Sequence, residues 1–283
     1  GDTAKEADLT LLLDQGVDLH SYQPTADDLI KISGCDLFIY VGGESDTWVE
    51  KALQNPTNEK RIAINLLEVL GDAVKTEETI EGMEHSHHHD DADYDEHHED
   101  HEHEEESDEH VWLSLRNAKV LCEEIANQLS VVDPTHKDTY AQNMTAYAEK
   151  LSELDVKYAE TVTNGSKNTL LFGDRFPFRY LVDDYGLNYY AAFSGCSAET
   201  EASFKTVAFL ANKVNELNLP CVLTIEGRQH KIAQTIIDNT DEKNQQVLTL
   251  NSMQSTTAED LKNGATYLSI MENNLQVLKD ALQ

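Results

Sequence analysis

A long amphipathic segment near the middle of the chain limits the folds open to this sequence. Apolar residues recur at spacings of three and four between Met144 and Tyr158, which is the period of one face of an α-helix. A helix over residues 136–162 would be roughly 40 Å long at about 1.5 Å per residue. That length is enough to run along a molecule built of two lobes.

Short β-branched or leucine-rich runs alternate with helical patterns before this segment. The runs at 7–13, 36–41 and 61–65 indicate buried strands. Between the first two, Thr25 and Asp28 have the spacing of a capping box, which predicts the start of a helix. This alternation predicts βαβ units and a parallel sheet.

The same alternation returns after the long helix. Further strands are predicted at 169–172, 188–193, 221–225 and 246–250, with helical patterns between them. We therefore expect an α/β protein of two lobes, each with a parallel-rich sheet flanked by helices, joined by one long helix.

The expected division is an N-terminal lobe over 1–115, a connecting long helix over 116–163 and a C-terminal lobe over 164–283. In this arrangement a ligand is expected in the cleft between the lobes, where the ends of the strands face each other.

The chain is strongly acidic, which indicates the kind of partner it has. It carries 53 Asp and Glu against 21 Lys and Arg, a formal charge of -32. This charge excludes nucleic acid and anionic lipid as partners and favours cations. No apolar run is long enough to span a bilayer. The four cysteines form no CxxC pair, so we expect buried free thiols or one disulfide.

The tract over 85–110 is low in complexity and holds 13 acidic residues with no Lys or Arg. Its histidines alternate irregularly with carboxylates, a pattern that differs from an expression tag and predicts a mobile loop with several weak metal sites. These candidate metal-collecting residues are His85, His87, His88, His89, His97, His98, His101 and His103.

Two further histidines lie in motifs that resemble those of a known family. The segment 16–24 (GVDLHSYQP) contains His20, and the segment 108–113 (DEHVWL) contains His110 directly after the His-rich tract. Together they are similar to the zinc and manganese substrate-binding proteins of ABC importers, which have the TroA-like fold. The resemblance covers nearly the whole chain and implies that one more strand and helix would precede residue 1.

The resemblance implies that His20 and His110 are metal ligands from the N-terminal lobe. The position of a family ligand in the second lobe falls on Arg175, which cannot bind a metal, whereas a shift of one residue offers Asp174. A later ligand position of some members holds Asn251. Glu226 is then the best remaining carboxylate, as a metal ligand or as the partner that neutralises Arg175.

The resemblance also implies an extracytoplasmic protein, periplasmic or lipid-anchored, that captures Zn²⁺ rather than Mn²⁺ and delivers it to an ABC importer permease as a monomer. A zinc buffer or sensor without a transporter is the alternative. A zinc hydrolase is a third hypothesis, although the sequence has no HExxH motif, nucleophile elbow or glycine-rich phosphate loop. We expect no enzymatic activity.

Overall fold

The computed structural model describes residues 7–13, 16–84, 106–197, 201–227 and 230–283. The described strands are β1 (Leu37–Tyr40), β2 (Ile62–Asn65), β3 (Thr169–Phe176), β4 (Asn188–Ser194), β5 (Cys221–Thr224) and β6 (Gln246–Thr249). The described α-helices are α1 (Ala26–Gly34), α2 (Val49–Ala52), α3 (Leu66–Leu70), α4 (Leu115–Val132), α5 (Lys137–Asn164), α6 (Arg179–Tyr185), α7 (Phe204–Leu217), α8 (Lys231–Asp238), α9 (Ala258–Lys262) and α10 (Tyr267–Ala281).

The described strands form two separate sheets, and both are parallel. In the first, β1 pairs with β2, with Leu37 opposite Ile62. The second has the order β4-β3-β5-β6, and all of its neighbouring strands run parallel. The prediction of an α/β fold with parallel sheets flanked by helices is therefore confirmed. Each crossover between parallel strands needs a long connection, which the helices supply.

The predicted strand at 7–13 is wrong. This segment is irregular backbone that ends in a turn at 12–13, and Leu9 at its centre is 80% exposed. An apolar run becomes a buried strand only when a neighbouring strand satisfies its backbone groups and a core covers its side chains. Among the described residues no strand pairs with 7–13, although Leu12 packs against a small buried cluster around Phe38.

The helix starts follow the capping residues of the sequence. Thr25 and Asp28 form the predicted capping box, in which each side chain accepts a hydrogen bond from the other residue's backbone N–H. The long helix α5 spans 28 residues, close to its predicted limits. It follows α4 through a short turn that contains Pro134.

The region over 116–163 contains two helices, α4 and α5, which meet at Asp133 and Pro134. Arg116 near the start of α4 contacts Asp155 late in α5, and Lys119 contacts Ser152. These contacts show that the two helices run antiparallel. Asp133, with Pro134 after it, explains the break, because a proline at this point ends one helix and favours the first turn of the next.

The largest cluster of buried side chains joins α5 to the second sheet. Leu151, Leu154 and Tyr158 from α5 pack there with apolar residues of β3, β5 and α10. The hydroxyl of Tyr158 donates to the carbonyl of Met271 at 2.7 Å. The long helix thus forms one wall of the main core.

The ends of the strands locate the region in which a ligand can bind. In parallel α/β sheets, ligands bind outside the carboxyl ends of the strands. Cys196 follows β4 and Glu226 follows β5 at this edge of the second sheet, and Ser45 follows β1 at the corresponding edge of the first. All four cysteines are free thiols. In the part of the chain that the structure describes, no helix combines the length and apolar character needed to cross a membrane.

Truncation of the α5 core face tests this packing. Leu151 is 1% exposed, so Leu151→Ala should lower the free energy of unfolding by about 2–5 kcal/mol through lost burial and a residual cavity. Val156 on the same helix is 54% exposed, and Val156→Ala should change stability by no more than about 0.5 kcal/mol. Urea unfolding in the presence of a chelator measures both, and equal losses would contradict the assigned core.

Candidate metal centre

His20 lies in a short 3-10 turn, Leu19–Ser21, and polar groups contact both its backbone and its ring. The Asp18 carboxylate accepts a hydrogen bond from the backbone N–H of His20 at 3.0 Å. The ring atom Nδ1 lies 2.6 Å from the Ser45 hydroxyl and 3.5 Å from the Glu109 carboxylate. These partners lie at Nδ1, and Nε2 faces His110.

His110 is fully buried, and Asp108 fixes its ring. One oxygen of the Asp108 carboxylate accepts from the backbone N–H of His110 at 2.9 Å and lies 2.9 Å from Nδ1. Because an ionised carboxylate can only accept, the proton of a neutral His110 is on Nδ1 and Nε2 has a free lone pair. The hydroxyl of Tyr180 in α6 donates to the Asp108 carbonyl at 2.7 Å, which anchors this segment to the second half of the chain.

The two imidazoles face each other through their Nε2 atoms, which are 3.2 Å apart. Two histidine nitrogens bound to one tetrahedral zinc ion stand about 3.3–3.4 Å apart, given Zn–N distances of about 2.0–2.1 Å. The observed separation thus matches that of two ligands of a single ion. His20 and His110, which are 90 positions apart in the sequence, are brought together as predicted.

The surroundings keep His20 neutral. Burial, followed by the charge of the neighbouring His110, lowers the pKa of His20 to about 4. Its ring is therefore uncharged near pH 7, the state in which an imidazole can bind a metal. Burial raises the pKa of Glu109, whose Oε2 atom has no hydrogen-bond partner within the described residues.

Cys196 is the third potential ligand, and no sequence motif pointed to it. Its sulfur and the ligand atoms of His20 and His110 all lie within 4.8 Å of one another. Burial raises the pKa of the Cys196 thiol, and the charge of Glu77 raises it further. The available signal was its place just after β4, at the carboxyl edge of a parallel sheet.

The positive charge of Arg175 is paired with a carboxylate beside the site. Its guanidinium donates to the Asp18 carboxylate at 2.5 Å and to the Ser197 carbonyl at 3.4 Å. The prediction that Glu226 neutralises Arg175 is therefore wrong, because Asp18 has that role. The same ion pair ties the His20 segment to the end of β3.

The two predicted carboxylate ligands are not brought together with the imidazoles. Asp174 accepts from the backbone N–H groups of Arg175 at 2.9 Å and Ile225 at 3.3 Å. Glu226 accepts from the backbone N–H groups of Ser252 at 2.6 Å and Gln254 at 2.9 Å. Neither carboxylate belongs to the group of ligand atoms around His20 and His110 in the described structure.

The histidines of the tract and Asn251 are the remaining positions that the sequence suggested for metal. The eight histidines predicted to collect metal, His85 to His103, lie outside the described residues. Asn251 is described, and its side chain accepts from the backbone N–H of Met253 at 2.8 Å.

Comparison with known proteins identifies relatives over almost the full chain. The chain is 34% identical to the zinc-binding lipoprotein AdcA of Streptococcus pneumoniae over 99% of its length, and it covers 52% of that protein. It is 31% identical to the high-affinity zinc uptake system protein ZnuA of Bacillus subtilis over 98% of its length, covering 81% of that protein. The chain thus spans about half the length of the AdcA relatives it matches.

Solved structures show the same fold. The Zn(II)-bound ZnuA-like domain of S. pneumoniae AdcA superposes with a TM-score of 0.72 at 30% identity, over 98% of this chain and 91% of that one. The lipoprotein YcdH from B. subtilis superposes with a TM-score of 0.75 at 27% identity, over 98% and 91% of the two chains. A family model described as ZnuA, the periplasmic component A of the zinc-uptake complex, matches residues 3–281. The chain belongs to this zinc-uptake family.

Proposed function

We propose that this chain captures Zn²⁺ between His20 and His110 and carries it to the permease of an ABC importer. The observation that supports this proposal best is the 3.2 Å separation of the two Nε2 atoms. Asp108 holds the ring of His110 in the tautomer that leaves Nε2 free for a metal. Imidazole suits Zn²⁺, whereas Mn²⁺ prefers carboxylate, carbonyl and water oxygens.

The division into lobes follows the same proposal. We infer an N-terminal lobe over 1–115, a connecting region over 116–163 and a C-terminal lobe over 164–283. His20 and His110 belong to the first lobe in this division, and the metal lies where the first lobe meets the carboxyl edge of the second sheet. The Arg175–Asp18 ion pair crosses between the two lobes beside the metal.

For Asp174 and Glu226, predicted as ligands, the contacts favour a positioning role. Glu226 accepts several hydrogen bonds from the segment after β6, the Ser252 hydroxyl included at 2.9 Å. Asp174 joins β3 to the end of β5 through the backbone N–H of Ile225. In both cases the carboxylate holds the edge of the sheet at which the metal binds.

The family to which the chain belongs supports a location outside the cytoplasm, where the protein would deliver zinc to a membrane permease. The family description names a periplasmic component of a zinc-uptake complex, and the pneumococcal relative is named a lipoprotein. The net charge of -32 suits a protein that attracts cations from dilute solution. We propose that the histidines at 85–103 contribute weak sites that raise the local concentration of zinc.

Removal of both imidazoles should abolish the tight zinc site. In calorimetric titrations, His20→Ala combined with His110→Ala should lose one high-affinity event and keep any weak binding. His136→Ala is the matched control, because His136 lies 2.5 Å from Asp133 in a similar His–carboxylate pair outside the cleft. A double variant that keeps the tight event would contradict the assignment of the site.

Removal of the carboxylate behind His110 should weaken the site without destroying it. Asp108→Ala leaves Nδ1 without its acceptor, and loss of such a partner costs about 10–100-fold in metal affinity. Asp133→Ala removes the equivalent carboxylate beside His136 and should leave the zinc affinity unchanged. Competition titration against a zinc-responsive dye measures both variants, and an equal effect of the two substitutions would argue against an orienting role for Asp108.

Uptake experiments distinguish an importer component from a zinc buffer. In the source bacterium without its own copy of the gene, the wild-type chain should restore zinc accumulation in zinc-limited medium, and the His20/His110 double variant should not. Replacement of the eight tract histidines with Asn should reduce uptake only at the lowest zinc concentrations. If the wild-type chain binds zinc tightly but restores no accumulation, a buffer or sensor is the better interpretation.

A further inference from the structure

We infer that Cys196 is the third protein ligand of the metal, so that the site is a His₂Cys centre in which this thiolate sets the preference for zinc-like cations. This inference rests on the proposed function and specifies its donor set. In the described part of the chain, His20, His110 and Cys196 form the one group of at least three His, Cys, Asp or Glu residues with ligand atoms within 4.8 Å of one another.

The distances among the three ligand atoms are close to those in a zinc site, so only a small movement is needed to bind the ion. With a Zn–S distance of about 2.3 Å, a tetrahedral zinc ion holds a thiolate sulfur about 3.5 Å from each imidazole nitrogen. The three ligand atoms already lie within 4.8 Å of one another. A shift of about 1 Å in the Cys196 side chain would therefore complete the three-ligand arrangement and leave a fourth position for water.

Gly195 allows this close approach. A Cβ atom at position 195 would lie 2.9 Å from the Phe176 carbonyl and 3.0 Å from the Cε1 atom of His110. Only a residue without a side chain lets the backbone after β4 pass directly over the imidazole. Glu77 then accepts from the backbone N–H of Cys196 at 2.8 Å, which holds the next residue at the rim of the site.

The residues of the second half that the sequence suggested for the third position are engaged elsewhere. Arg175 carries no lone pair for a metal and is paired with Asp18. The carboxylates of Asp174 and Glu226 accept backbone N–H groups at the ends of other strands. The thiol therefore supplies the negative donor that the sequence pattern assigned to a carboxylate.

The chemistry of this donor set predicts a selective site. Coordination replaces the S–H bond of Cys196 with a sulfur–metal bond, and the proton leaves to solvent. Thiolate and imidazole together favour Zn²⁺ and chemically similar cations such as Co²⁺ and Cd²⁺, whereas Mn²⁺ prefers oxygen ligands. Cys196 is thus a specificity-determining residue as well as a ligand.

Cobalt substitution tests the sulfur directly. Co²⁺ bound to the wild-type chain should show sulfur-to-cobalt charge-transfer absorption, and Cys196→Ser should remove it. Cys35→Ser, a substitution at a free thiol in the first half of the chain, should leave the absorption unchanged. Loss of a group that only orients a ligand costs about 10–100-fold in metal affinity, and Cys196→Ser should weaken zinc binding by more than that. It should also lower the ratio of the Zn²⁺ affinity to the Mn²⁺ affinity.

A variant that restores a metal ligand at position 196 distinguishes metal coordination by Cys196 from a role in packing alone. Cys196→His should bind Co²⁺ and Zn²⁺ tightly while lacking the charge-transfer absorption. If Cys196→Ser keeps that absorption and the wild-type affinity while the His20/His110 double variant loses binding, the metal site stands and the role of Cys196 is overturned. If the double variant binds Co²⁺ as the wild type does, the proposed function itself fails.

Discussion

The hydrogen bond between Asp108 and the Nδ1 atom of His110 is the interaction on which the site depends. It fixes a ring that has no exposed surface. A neutral imidazole with its proton fixed on Nδ1 presents a lone pair on Nε2, directly opposite the Nε2 atom of His20. The other contacts of the site serve to keep these two rings in place, and the Tyr180 hydroxyl on the Asp108 carbonyl is the clearest case.

Electrostatics explains why a cation site can exist beside an arginine. The carboxylate of Asp18 accepts from Arg175 and also from the backbone N–H of His20. Burial opposes the ionisation of Asp18, but the hydrogen bond and the charge of Arg175 outweigh it and lower the pKa of Asp18. The positive charge is thus matched locally, and the carboxylate of Asp108 remains to balance a bound metal. An isolated arginine at this position would repel the ion.

The sequence predicted the features that depend on local patterns and missed those that depend on distant contacts. The limits of α5 and the cap at Thr25 follow from spacing along a few turns of chain, and β1 and β2 follow from short apolar runs. His20 and His110 were identified from the motifs around them. The approach of Cys196 to His110 is different, because it depends on the backbone of Gly195 passing over a ring 85 positions earlier in the sequence. No local pattern encodes such a contact.

The same limit explains the errors in the second half of the site. A sequence motif aligns Arg175 with a ligand position, but only the fold shows that its guanidinium turns to Asp18. Glu226 is a carboxylate at a strand end, which made it a reasonable ligand, yet the N–H groups after β6 occupy its oxygens. A carboxylate that already accepts several hydrogen bonds would lose some of them on binding a metal. The Cys196 sulfur already lies within 4.8 Å of both imidazole ligand atoms, so the third position falls to this thiol rather than to Glu226.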